Sequence, residues 1–359
     1  LKLYFMLYFD TEFHSGYCFT INPNNVIIYG RMNKMEADQI KFMQKLAPGA
    51  SFEKLAGGEN STAFLCGNLI VRFPKSNRAL NDYQKEAVLS SAIRKHSDFL
   101  AQYIPDISVI EIDGIKAAIH HEIPGKTLKG NAPNNERNTH FESLIPEEQK
   151  QLAEDLGKFL AALHSVPLEK ISEKWLQSRP IGFKSEENIL SLIEKNQKLY
   201  ASQGINYEKY ETDTNDLVLC HNDFHGGNFA LDEKNKLKGV FDLGEMGKNH
   251  RAYDFMPMYS YGRKFARAVT EVYNTYSEKK ISMKELDFHY LNKLAEFPQY
   301  AEEHNRPDLM SYFYKTLASF RLDIKREQKE KNNTQFYAAT SSITFASIIQ
   351  KHTSNKDKF

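Results

Sequence analysis

From residue 51 onward the apolar positions fall first into short runs separated by turn formers. The runs are Ser51 to Ala56, Thr62 to Cys66 and Leu69 to Phe73. Short runs of this kind, bounded by Gly and Asn, predict strands. The segment from Gly57 to Thr62 breaks the first pair, and Gly67-Asn68 breaks the second with the length of a two-residue hairpin turn. Between Ala79 and Lys95 the period changes: Leu80, Tyr83, Ala87, Leu89 and Ile93 recur at helical spacing, which predicts one helix packed on the sheet. Two further runs, Ile107 to Ile112 and Ile115 to His121, flank Asp113-Gly114, the strongest short hairpin signal in the chain. The expected unit is five antiparallel strands and a helix.

Gly125 to Ile145 is polar and aperiodic, with Asn131, Asn134, Asn135 and Asn138, and reads as a loop joining two lobes. Helical spacing dominates beyond it. Pro146 suits a first helical turn, Glu147 and Glu148 complement the helix dipole, and Leu152, Leu156, Phe159, Leu160 and Leu163 share one face up to about His164. Further helices are expected at about Asn188 to Ala201, Ala252 to Tyr261, Phe265 to Tyr276, Met283 to Phe297, Leu309 to Lys325 and Phe336 to Lys351. The fold class is therefore α+β, with a small antiparallel-sheet N-lobe and a larger, mostly helical C-lobe. The boundaries read as 32–124 and 125–359. Residues 1–31 read as an appendage, with Met32 or Met35 opening the body. Its apolar start, Leu1 to Phe9, is far shorter than the roughly 20 residues of a membrane helix, and the acidic residues that follow do not suit a signal peptide.

Charge narrows the partners more than it narrows the fold. With 47 Lys and Arg against 46 Asp and Glu, the net charge is +1, so no overall field draws the chain to nucleic acid or an anionic membrane. The three cysteines, Cys18, Cys66 and Cys220, follow no metal-ligand pattern and suit a reducing compartment, so a cytoplasmic location is expected.

The segment from Leu217 to Gly247 carries the chemistry. Leu217-Val218-Leu219 is a short apolar strand that delivers His221, Asn222 and Asp223 to a loop, and Gly226-Gly227 turns the chain before Asn228. A hairpin follows, and its return strand, Lys238 to Phe241, brings Asp242 to the same end. Phosphoryl transfer asks a protein for positioning groups and cations at the phosphates. Asn228 and Asp242 offer oxygen ligands for magnesium, and Asp223 can orient a hydroxyl and take its proton.

This order, His-x-Asp-x4-Asn followed by an apolar strand and Asp-Leu-Gly, resembles the catalytic core of the aminoglycoside phosphotransferase and choline kinase family, relatives of the protein kinases. Leu163-His164-Ser165-Val166-Pro167 resembles the end of that family's first large-lobe helix. Arg251-Ala252-Tyr253-Asp254 resembles the run after its metal-binding loop, and Glu122-Ile123-Pro124-Gly125 its strand end and hinge. The resemblance implies a two-lobed, protein-kinase-like fold and transfer of the γ-phosphate of ATP, with GTP open, to a hydroxyl of a small molecule. It implies Asp223 as catalytic base, His221 as a buttress of the loop, and Asn228 and Asp242 as Mg2+ ligands. It also implies a phosphate-covering loop at Gly58, Asn60, Ser61 and Thr62, a phosphate-binding Arg72 paired with Glu86, and Glu122 beside the adenine.

One departure from the family pattern bears on function. Arg72 stands where the family has lysine, with Lys75 as a possible substitute, and a planar guanidinium differs from a point-charge ammonium. A second reading follows from that replacement: a nucleotide-binding pseudokinase or regulatory module without turnover. The acceptor is open between aminoglycoside-like, choline-like and sugar hydroxyls. Tyr253, Phe255, Tyr259, Tyr261, Trp175, Tyr312, Phe313 and Tyr314 could build an aromatic cage, though such richness ordinarily means core, and Glu302, Glu303 and Asp308 could face an amine. Several polar residues read as structural. His225 is expected to face solvent or pack in its loop, His164 to cap or pack a helix, and Arg251 and Asp254 to act as braces.

Overall fold

In the computed structural model, residues 19–22, 25–28, 34–55, 60–128, 139–177, 186–205, 207, 210–211, 216–303 and 305–353 are described. Gly57, Gly58 and most of the Asn-rich stretch after Leu128 lie outside them. The chain divides into two units, residues 1–91 with 105–122, and residues 92–104 with 123–359.

In the first unit, β1 (Phe19–Asn22) and β2 (Asn25–Ile28) pair only with each other. Helix α1 (Lys34–Leu46) precedes β3 (Phe52–Lys54), β4 (Ser61–Cys66) and β5 (Leu69–Pro74). Helix α2 (Asn77–His96) belongs to this unit through Ser91, and β6 (Ser108–Ile112) and β7 (Ile115–His121) complete it. The five-stranded sheet has the order β3-β4-β5-β7-β6, antiparallel throughout. Asp113 and Gly114 both have positive φ, 52° and 79°, as the predicted tight hairpin requires.

The five strands match the expectation, but one helix does not account for the core. Phe42 and Met43 of α1 are buried against Phe64, Cys66, Val71, Phe73 and Ala117 of the sheet. Phe73 meets Phe42 and Phe64 edge-on, at centroid separations of 5.1 and 5.9 Å. The inner face of the sheet alternates along β4 and β5, so a second amphipathic element must cover it, and α1 supplies that cover.

The second unit opens with α3 (Asp98–Ala101), β8 (Lys126–Thr127), α4 (Thr139–Ser143), α5 (Pro146–His164), α6 (Glu173–Leu176) and α7 (Glu186–Ser202). Pro146 takes the first helical position of α5, and the Glu148 carboxylate accepts the Ile145 N–H at 3.0 Å. Then come β9 (Leu217–Cys220), β10 (Phe229–Leu231), β11 (Leu237–Val240) and β12 (Gly247–His250), followed by α8 (Arg263–Tyr276), α9 (Met283–Leu294), α10 (Glu296–Glu303) and α11 (Pro307–Thr353). Strands β11-β10-β8 form one small sheet and β12-β9 another.

Three helix expectations change in extent. The stretch from Arg251 to Tyr261 is a 3-10 segment with Pro257 inside it, where the missing N–H rules out regular α-helical bonding. Met283 to Phe297 breaks after Leu294 into α9 and α10, and the two predicted C-terminal helices are one, α11. No helix among the described residues is long and apolar enough to cross a membrane.

Helices α5 and α8 approach closely because position 157 is glycine. A Cβ there would lie 2.7 Å from the Val269 carbonyl oxygen and 2.7 Å from the Val272 Cβ. Gly157→Ala is expected to lose about 1–3 kcal/mol of stability despite alanine's better helix propensity, because neither contact can yield without moving a helix. Urea denaturation of the two chains measures the difference, and an unchanged or raised midpoint would contradict this packing.

Candidate active site

The candidate catalytic residues sit where β9 ends. Val218, Leu219 and Cys220 are buried, and β9 pairs with β12 from Leu217↔His250 to Cys220↔Gly247. The chain then leaves the sheet as a loop whose middle residue, Phe224, is fully buried. Its ring stacks on Phe159 of α5 at 5.5 Å and 7° and meets Phe229 at 5.6 Å. This apolar anchor separates two residues that stay half exposed, Asp223 and His225. Gly226 is required beside them, since a Cβ would clash with the Tyr261 hydroxyl and come within 2.7 Å of the Leu128 Cβ.

Beneath the loop lies Asp254, fully buried in the 3-10 segment. Its two carboxylate oxygens accept the backbone N–H groups of His221 and Asn222, each at 2.8 Å, and its Oδ2 also lies 3.1 Å from His164 Nε2. Asn222 adopts a left-handed φ of 65°; its amide donates to the Glu245 carbonyl at 3.0 Å and its Oδ1 accepts from the Asn249 amide at 2.8 Å. The loop is thereby tied at adjacent peptide groups and by one side chain.

Asn228 faces back onto Asp223. Its amide nitrogen lies 2.9 Å from the Asp223 carbonyl oxygen and 2.9 Å from Asp223 Oδ2. Both partners are acceptors, so the nitrogen must face them and Oδ1 lies on the other side of the amide. Phe241 links this residue to Asp242: its N–H donates to the Asn228 carbonyl at 3.0 Å, and its own carbonyl accepts the His221 Nε2 proton at 3.1 Å. Asp242 follows with φ 61° and ψ 62°, a left-handed conformation uncommon outside glycine that turns the chain sharply at the hairpin's end. His221, Asp223 and Asn228 thus belong to one hydrogen-bonded structure, and Asp242 follows directly on its Phe241.

His225 packs within its loop and stays partly exposed, as expected, and it also approaches Asp223. Its Nδ1 accepts the Gly227 N–H at 2.9 Å, so Nε2 carries the proton, 3.5 Å from Asp223 Oδ2. That contact, helped by charge from His221 and by the Asn228 amide, holds the Asp223 carboxyl below the usual aspartate range against the opposing effect of burial. The one signal for His225 in the sequence is its place two residues after Asp223 on the same loop.

The residues expected on the nucleotide side lie in the first unit. Arg72 of β5 grips Glu86 of α2 with both terminal nitrogens, at 2.5 and 3.3 Å, and its guanidinium lies over the Tyr83 ring at 4.8 Å. Glu86 is 2 % exposed, so the pair is not an ordinary surface ion pair. Asn60 precedes β4, and its carbonyl accepts the Lys75 N–H at 3.0 Å; Ser61 and Thr62 lie in β4 opposite Pro74 and Phe73. Glu122 is exposed just beyond β7, its N–H donating to the Asn68 carbonyl at 2.8 Å. Gly58 falls outside the described residues.

Three of the eight aromatic residues that could build a cage pack in the interior. Phe255, Phe313 and Tyr259 are core residues; Tyr259 stacks on Tyr290 at 4.0 Å and donates to Asp287. Among the carboxylates, Asp308 is held by Arg306 at 2.6 and 2.8 Å.

Two outcomes follow from this geometry. Asp254→Ala strands two backbone amides and His164, so it is expected to cost about 2–5 kcal/mol in urea unfolding. In His225→Ala the Asp223 carboxylate loses its largest stabilising contact, so its pKa rises toward the ordinary range and the carboxylate is lost at higher pH as acid is added. An NMR titration of the Asp223 carboxyl carbon reads this directly, and an unmoved midpoint would remove His225 from the site.

Several solved structures share the fold. The wild-type aminoglycoside 2′-phosphotransferase-IIIa in its GDP complex is 16% identical over 81% of this chain and 99% of its own, with a TM-score of 0.57. The ADP-bound aminoglycoside phosphotransferase APH(2″)-Ib is 18% identical over 79% and 99%, TM-score 0.55. A macrolide 2′-phosphotransferase from Brachybacterium faecium is 13% identical over 79% and 98%, TM-score 0.52. The sequence profile described as the phosphotransferase enzyme family matches residues 51–288, well over half the chain and all the catalytic-loop residues above. The chain belongs to that family.

Proposed function

We propose that this protein transfers the γ-phosphate of ATP, or of GTP, to a hydroxyl of a small organic acceptor, with Asp223 receiving the hydroxyl proton. The observation that carries this reading is the Asp223–Asn228 pair. One residue holds an ionised, half-exposed carboxylate, and the other gives its amide nitrogen to that residue, which leaves the amide oxygen on the side away from Asp223. Asn228 Oδ1 and the Asp242 carboxylate are hard oxygen donors, the type magnesium takes. When bound there, the ion would supply positive charge that offsets the negative charge of the phosphoryl group in transfer.

The chain's own residues supply the rest. Asp223 is ionised near neutrality, where it orients the acceptor hydroxyl through a hydrogen bond and takes its proton as the new P–O bond forms and the bond to the leaving nucleotide oxygen breaks. His225 steadies that carboxylate, while His221 and Asp254 hold the backbone beneath it. Glu86 fixes Arg72 in one orientation, so its guanidinium can present donors to a nucleotide phosphate at little cost in side-chain entropy. The similar structures include complexes with ATP and streptomycin and with GDP and kanamycin, which supports a nucleotide donor and a small-molecule acceptor here. Cys66 and Cys220 are free and buried, consistent with the cytoplasm, where ATP is also supplied.

Asp223→Ala is expected to lower kcat by about 10²–10⁴-fold while magnesium-dependent ATP binding survives. A hydroxyl-acceptor panel assayed by 31P NMR, with calorimetry for ATP, separates the two effects. Full turnover in the variant would refute Asp223 as the base. ATP binding by the unaltered chain with no transfer to any acceptor would support the regulatory module instead.

A further inference from the structure

One cluster of buried polar side chains takes no part in the site above. His250 closes β12, and Glu285 and His289 stand four residues apart on α9, so they share a helix face. A ring nitrogen of each histidine and a carboxylate oxygen of Glu285 lie within 4.8 Å of one another. His250 Nε2 is 3.4 Å from Glu285 Oε1, and the two imidazole rings stack at 4.6 Å. Two ligands at about 2.0–2.1 Å from a tetrahedral zinc ion lie about 3.3 Å apart, so His250 and Glu285 already have ligand spacing.

Burial makes the cluster unlike a surface coincidence. His250 and Glu285 are each 6 % exposed. The His289 Nε2 atom is buried with no hydrogen-bond partner, the kind of orphan that native interiors seldom keep. Tyr210 hydrogen-bonds Glu285 and can orient it, as outer partners of metal ligands do.

We propose that His250, Glu285 and His289 form a three-ligand site for one zinc-class divalent ion, distinct from the magnesium ligands, that fastens the end of β12 to α9. Two imidazoles and one carboxylate favour zinc or a neighbouring first-row ion over magnesium. His250 Nδ1 accepts the Ala252 N–H, so Nε2 carries a proton. Metal binding at that nitrogen releases the proton to solvent, and the fourth coordination position is left to water. Nothing in this site depends on the phosphotransfer reading.

The test uses the full chain, stripped with a chelator and titrated with zinc against a chromophoric competitor. Bound metal is counted after desalting, and cobalt is substituted for its visible spectrum. The expected result is one zinc per chain, a rise in melting temperature with zinc but not with magnesium, and tetrahedral cobalt bands. His289→Ala should weaken zinc binding by at least about 100-fold while its far-UV circular dichroism and metal-free melting stay unchanged. If that variant does not fold, the cobalt spectrum of the unaltered chain decides. Absence of tight zinc binding in the unaltered chain, octahedral oxygen-type cobalt bands, or full zinc affinity in a folded His289→Ala chain would overturn the site.

Discussion

Two backbone amides, those of His221 and Asn222, reach the two oxygens of a single buried carboxylate, Asp254, at 2.8 Å each. A carboxylate with no exposure to water is costly unless hydrogen bonds replace its hydration, and here the adjacent peptide groups and the His164 ring replace it. The chain of contacts continues outward: His164 Nδ1 meets the Tyr273 hydroxyl at 3.1 Å, which accepts from Arg251, which in turn holds Asp216 with two bonds at 2.6 and 2.7 Å. Charges and dipoles alternate along this path, so every buried polar group in it has a partner.

What this network holds is a direction. The loop leaves β9 with Asn222 in a left-handed conformation, and the hairpin's return ends on Asp242 in another. Neither conformation is favourable for such residues in isolation, and each persists because neighbours over-determine it. Asn222 is bonded to Glu245 and Asn249, while Phe241 is bonded on both sides by Asn228 and His221. Positioning is most of what a protein contributes to phosphoryl transfer, so rigidity at these backbone groups bears directly on the proposed chemistry.

Much of this could be read along the chain. The five strands, the Asp113-Gly114 hairpin and the Pro146 start of α5 rest on local rules of period, turn chemistry and capping, and the structure has all three. Helix α1 carries an equally local signal, because Phe42, Met43 and Leu46 stand at helical spacing. The 3-10 character of Arg251–Tyr261 and the continuity of α11 were not legible, since both apolar patterns admit an α-helix or a pair of them, and packing chooses. His225 likewise gave no periodic signal; its contact depends on Phe224 being drawn into the core beside it.

The sequence by itself determined the order of short strands and helices, the spacing of His221, Asp223, Asn228 and Asp242, and through these the family. Such features depend on residues within a few positions of one another, where backbone geometry leaves few choices. Tertiary structure decided what holds them: Asp254 beneath a loop more than thirty residues away, Glu86 locking Arg72, and a histidine of β12 set against Glu285 and His289 of α9. Each of those contacts joins segments distant in the chain, and its energy comes from excluding water around paired polar groups, which only the packed interior can do.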